Sequence, residues 1–63
     1  MKKGDLVSVS GTLTGYGTLE GYITDINEKH GLVTVRYTLE SFRRANMSKG
    51  ICGNKRFFTV KEQ

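Results

Sequence analysis

The clearest alternation of apolar and polar positions runs through Leu32-Val33-Thr34-Val35-Arg36-Tyr37-Thr38-Leu39. Val33, Val35, Tyr37 and Leu39 fall on one face of an extended chain, and Thr34, Arg36 and Thr38 on the other. That is the period-two pattern of a half-buried strand. Upstream, Leu19-Glu20-Gly21-Tyr22-Ile23-Thr24-Asp25-Ile26 carries the β-branched and aromatic residues that suit a pleated surface. Between the two, Asn27-Glu28-Lys29-His30-Gly31 is polar and ends in a glycine able to take the left-handed conformation of a tight connection. The stretch 15–37 therefore reads as a β-hairpin against which the rest of the chain packs.

Three further segments complete the pattern. Asp5 to Ser10 predicts a strand with Val7 and Val9 on one face, Ser8 and Ser10 on the other, and Leu6 sharing the serine face at one end. Gly11 to Gly17 is too glycine-rich for a strand interior and predicts a long loop, with Leu13 dipping inward and Tyr16 exposed or lying over the core. In the next strand Leu19 and Ile23 share one face and Tyr22 and Ile26 the other. Apolar residues on both faces around the central Gly21 indicate a bulge or a sharply coiled strand. Residues 41–47 fit either a fourth strand with Phe42 buried or one short helical turn. Ser48 to Asn54 reads as a loop, and Arg56 to Lys61 as a last strand with Phe58 and Val60 inward. No ten-residue stretch has helical periodicity, so the pattern predicts an all-β chain.

Length narrows this to one domain over residues 1–63 with a small core. A closed or nearly closed sheet shares one interior and leaves few free edges, which suits so short a chain. A single cysteine, Cys52, excludes an internal disulfide and fits a reducing compartment. No apolar run approaches the roughly 20 residues of a membrane helix, and the start lacks a signal-peptide core. The expectation is a soluble cytoplasmic protein with no membrane partner.

Charge then adds a direction. Residues 1–30 hold Lys2, Lys3 and Lys29 against Asp5, Glu20, Asp25 and Glu28, a balance of −1. Residues 31–63 hold Arg36, Arg43, Arg44, Lys49, Lys55, Arg56 and Lys61 against Glu40 and Glu62, a balance of +5. A basic half suggests an anionic partner, either nucleic acid or an acidic protein surface; its plain alternative is a solvated basic face.

The order Gly4-Asp5, Val7 and Val9, Gly11, Gly15 and Gly21, Ile23 and Ile26, then Val33 and Val35 resembles a KOW motif over residues 4–37. That family's motif is a glycine-aspartate entry, a strand, a glycine-spaced loop, a strand, a polar turn and a strand. The glycine loop is longer here than in the family. The resemblance implies an SH3-like five-stranded antiparallel barrel and an RNA or ribosome contact; similar entries also occur in SH3-like accessory subunits of large complexes.

Candidate chemistry follows from residue type. Lys49-Gly50-Ile51-Cys52-Gly53-Asn54-Lys55-Arg56 combines two glycines with three cations and can cradle a phosphate, or simply connect two strands. Its spacing is not that of a Walker loop. Aromatics beside arginines are what single-strand surfaces use to stack bases and hold phosphates. A small core, however, needs most aromatics inside, which leaves Tyr16 and either Tyr22 or Phe57 as exposed platforms. His30 and Cys52 form neither a zinc site nor an activated nucleophile pair, so no catalysis, cofactor or small-molecule substrate is expected. The expected contacts to nucleic acid are Tyr16, Arg36, Arg43, Arg44, Lys49, Lys55 and Arg56. Those cations should form one stripe if nucleic acid is the partner, whereas an apolar patch at Leu13, Tyr16 and Leu19 would favour protein docking, including docking of a phage or mobile-element protein onto a host factor.

Overall fold

The computed structural model describes residues 1–61. Five antiparallel strands form one sheet: β1 (Leu6–Val9), β2 (Leu19–Asn27), β3 (Leu32–Tyr37), β4 (Gly50–Asn54) and β5 (Phe58–Val60). Their order is β4-β3-β2-β1-β5. Two short helices interrupt them, α1 (Gly11–Thr14) and α2 (Leu39–Arg44), and a 3-10 turn (Lys55–Phe57) joins β4 to β5.

That join shapes the sheet. β4 and β5 are its opposite edges, yet three residues connect them. Four gaps of about 4.8 Å would hold the edges of a flat sheet about 19 Å apart. The four steps from Asn54 to Phe58 reach about 14 Å when fully extended, and less when wound at about 2 Å per residue. The sheet must therefore curl until its edges approach. α1 lies at the same corner: a β-carbon added to Gly53 of β4 would stand 2.6 Å from a methyl carbon of Leu13. The edges remain unpaired, and the sheet is not closed.

The concave side is the core: Val7, Val9, Leu19, Ile23, Val33, Val35, Tyr37, Ala45 and Phe58 are buried, with Leu13, Ile26, Phe42, Ile51 and Phe57 packed around them. The β2–β3 hairpin holds the longest ladder, from Gly21↔Tyr37 to Asn27↔Leu32. Its register breaks between Ile23 and Asp25. The bulge at Thr24 leaves Thr24 and Asp25 both exposed and turns Ile26 back toward the core. Ile26 consequently does not share a face with Tyr22, which is exposed, and the bulge lies three residues beyond Gly21. Gly21 has its own reason to lack a side chain, because a β-carbon there would sit 2.7 Å from the Arg36 carbonyl oxygen.

Several expectations are corrected. Leu39 leaves the core face and is 67% exposed, because β3 ends at Tyr37 and the Thr38 hydroxyl caps α2 by accepting from Ser41 N. Of the two readings of residues 41–47, the helical turn holds and the strand does not: α2 begins at Leu39 and takes their first half. The fourth strand is instead Gly50–Asn54, the segment read as a loop, and it pairs from Leu32↔Asn54 to Arg36↔Gly50. Val60 pairs with the buried Val7 and shares its face, but at the end of a three-residue edge strand it stays 42% exposed rather than buried. The glycine-rich segment 11–17 contains a helical turn. Ser10 caps its start and Gly15, at φ 78°, ends it in the left-handed region. Leu13 nevertheless dips inward, and Tyr16 is exposed.

Burial sets the cost of truncation along β3. Val35 is 2% exposed, whereas Thr34 on the opposite face is half-buried. Val35→Ala is expected to lose about 1–3 kcal/mol through lost burial and a residual cavity, and Thr34→Ala well under half of that. Urea unfolding of the two variants measures the difference, and equal losses would reverse the facing of β3.

Candidate nucleic-acid interface

On the convex side of the sheet, cross-strand partners form rows. Tyr22 of β2 stands opposite Arg36 of β3, which stands opposite Gly50 of β4. Tyr22 and Arg36 alternate with the buried Gly21 and Tyr37, so both project outward and both are exposed. A β-carbon at Gly50 would collide with the Val35 carbonyl oxygen, and the absence of a side chain there leaves Arg36 uncovered on that flank. Lys49 follows at the entrance to β4, held by the bond from Tyr37 N to the Lys49 carbonyl, 2.9 Å.

Arg36 and Lys49 form a wall between two hollows. On one side lies an open depression of about 430 Å³ lined by Thr24, Thr34, Ile51 and Cys52 as well as the wall. On the other is a cleft of about 270 Å³ lined by Tyr37, Leu39 and Phe42. The cleft's far side is α2, and its position depends on a buried serine. Past Tyr37, β3 no longer pairs with β2, and Ser41 Oγ accepts the hydrogen bond of Glu20 N, 2.8 Å, that a ladder partner would otherwise accept. Thr38 N returns a bond to the Glu20 carbonyl, 3.0 Å. Arg43 follows Leu39 by four positions and shares its side of the helix.

The remaining cations lie elsewhere. Arg44 extends toward the β1–β2 connection, with Nη2 4.0 Å from where a Gly17 β-carbon would stand. Lys55 and Arg56 follow the far end of β4, where Lys55 N donates to the Gly31 carbonyl, 2.8 Å. Arg56 lies over the Phe57 ring, 4.9 Å from its centroid. Gly50 and Asn54 are about 13 Å apart along the strand, beyond the screening length of about 8 Å at physiological salt. The expected set thus divides into three groups: Arg36 and Lys49 lining the cleft, with Arg43 exposed on α2; Arg44 on the side of Tyr16; and Lys55 with Arg56 at the opposite end. They do not make one stripe. The apolar patch expected at Leu13, Tyr16 and Leu19 does not form either, since Leu19 is fully buried and Leu13 packs into the core. The exposed apolar side chains near the cations are Leu39 and Met47.

The carboxylates of β2 are engaged, whereas the exposed Glu40 of α2 is in no ion pair among the described residues. Among the described residues the ion pairs are Lys3 with Asp25 and Lys61 with Glu20, so both carboxylates of β2 are partly neutralised and Arg36, Arg43 and Lys49 are not in ion pairs. Met47 and Asn46, which lead into β4, have φ of 67° and 54°, a left-handed backbone costly for non-glycine residues. His30 lies in the β2–β3 turn, its N–H bonded to Asn27 Oδ1 at 3.2 Å, and Cys52 is exposed on β4. Among the described residues no helix is long and apolar enough to cross a membrane. No protein-family model, curated protein or solved structure matches the chain.

Two measurements test the supports of this face. Ser41→Ala leaves the Glu20 N–H without its acceptor and is expected to cost about 1–3 kcal/mol, read by urea unfolding, while Ser48→Ala at the exposed bend costs far less. Burial, with Tyr16 adding to it, pushes the pKa of Tyr37 up. An unfolded tyrosine ionises near pH 10, so the stability due to the buried phenol is intact below about pH 10 and is lost as pH rises through the folded-state value. Wild-type stability should fall as pH rises above about 10 more steeply than that of Tyr37→Phe, and identical profiles would remove Tyr37 as the cause.

Proposed function

We propose that the chain is a small non-catalytic nucleic-acid-binding module on an SH3-like barrel, acting in the cytoplasm. The observation that carries this reading is the wall of Arg36 and Lys49, exposed, outside any ion pair among the described residues and flanked by the exposed Tyr22 ring. Cations free of carboxylates release counterions when they meet phosphates, and this release is the main source of sequence-independent affinity. The curled five-strand sheet, with β1 bonded to both β2 and β5, supports the barrel, and the KOW-like residues 4–37 supply its first three strands. In place of the single stripe expected, the site is the local set Arg36 and Lys49 with Tyr22, with Arg43 on α2, while Lys55 and Arg56 stand outside it. Tyr16 and Arg44 border the opposite loop.

A second reading, docking onto an acidic protein, rests on Leu39 and Met47, 67% and 65% exposed beside the same cations. Titration of fluorescent oligonucleotides at several salt concentrations separates the two. Arg36→Gln and Lys49→Gln should each weaken binding to all sequences and reduce the salt slope by about one, while Lys55→Gln leaves it unchanged. Dissociation constants weaker than about 10⁻⁴ M for every oligonucleotide at low salt would transfer the proposal to protein docking.

A further inference from the structure

The cleft beyond the Arg36–Lys49 wall points to a more specific ligand, and the inference rests on the nucleic-acid reading above. We infer that this module takes single strands: an unpaired base enters the cleft over Leu39 and Phe42, and the adjoining phosphate sits on Arg36 and Lys49. The neighbouring base stacks on Tyr22.

Three observations converge on this ligand. The cleft, about 270 Å³, lies just under the roughly 300–1,000 Å³ of drug-sized sites, so it holds one ring system and not an extended segment. Its lining is apolar and aromatic, Tyr37, Leu39 and Phe42, with both cations gathered on a single wall. That arrangement matches a flat apolar group joined to one anion. The wall also borders the open face, where Tyr22 and Arg36 are cross-strand partners with β-carbons about 5 Å apart. A strand leaving the cleft therefore meets an aromatic ring directly beyond the arginine. A base held in a duplex stack can reach neither position, whereas an unstacked one can reach both. An acidic peptide would satisfy the wall but leaves the Tyr22 ring unused.

The test uses the full chain and two fluorescent probes, a ten-nucleotide oligothymidine and a duplex of equal length, with oligoglutamate as competitor. Wild type should bind the single strand about tenfold or more tighter than the duplex, the size expected for stacking of one or two bases. Leu39→Ser and Tyr22→Ser change exposed side chains. Each should reduce single-strand affinity about five- to tenfold and leave duplex affinity and salt slope unchanged, while circular dichroism confirms the fold. Equal affinity for both probes with an intact salt slope would overturn the single-strand inference and leave the nucleic-acid reading standing. The outcome is the same if Arg36→Gln weakens binding but Leu39→Ser and Tyr22→Ser do not. Binding of neither probe, with oligoglutamate bound in a Leu39-dependent way, would overturn both.

Discussion

Three residues between opposite edges of one sheet are the constraint on which the remaining structure depends. Lys55, Arg56 and Phe57 link β4 to β5, and that link is too short for any flat arrangement. Curling gives a chain of 63 residues an interior: side chains from all five strands converge on one concave side, where a flat sheet of this size would need a second layer to cover it. The same curl makes the other side convex. Tyr22 and Arg36, cross-strand partners, project outward there.

The cleft beside Arg36 and Lys49 could not form without α2. β3 leaves the ladder after Tyr37, and the freed donor at Glu20 N would be unpaired at a partly buried position. Ser41 supplies the missing acceptor from a helix that Thr38 starts. One hydroxyl thus replaces a strand residue and fixes the helix that forms the far side of the cleft. Leu39 and Arg43 owe their exposure to the same event, since Ser41 and Ala45 occupy the inward side of the turn.

Much of the fold was legible because it rests on period two. Alternation places Val7, Val9, Val33, Val35, Tyr37 and Phe58 inward, and all are buried. It fails where another rule displaces it. Leu39 continues the β3 pattern in phase, but Thr38 caps a helix there, its hydroxyl accepting from Ser41 N. That local signal is present in the sequence and is outweighed by periodicity. Gly50-Ile51-Cys52-Gly53-Asn54 has almost no strand propensity. It is a strand because glycine at position 50 lets the chain approach the Val35 carbonyl, a tertiary requirement that no window of sequence expresses. The bulge at Thr24 was legible in kind, from apolar residues on both faces, but not in position.

Charge shows the same limit in another form. Half-chain balances of −1 and +5 treat each half as a surface, whereas the fold pairs charges across halves. Lys61, counted among the basic residues, closes on Glu20 of the acidic half, and Arg56 lies on Phe57. The local field therefore comes from the cations left after pairing, not from the sum. Arg36 and Lys49 stay outside the ion pairs of the described residues, where Lys61 and Lys3 take up the two carboxylates of β2, and Gly50, opposite Arg36 and next to Lys49, has no side chain to cover either. Two neighbouring cations outside any ion pair among the described residues repel each other, as far as water does not screen them. In the proposed reading, an anion seated on the wall would relieve that repulsion as well as add its own attraction.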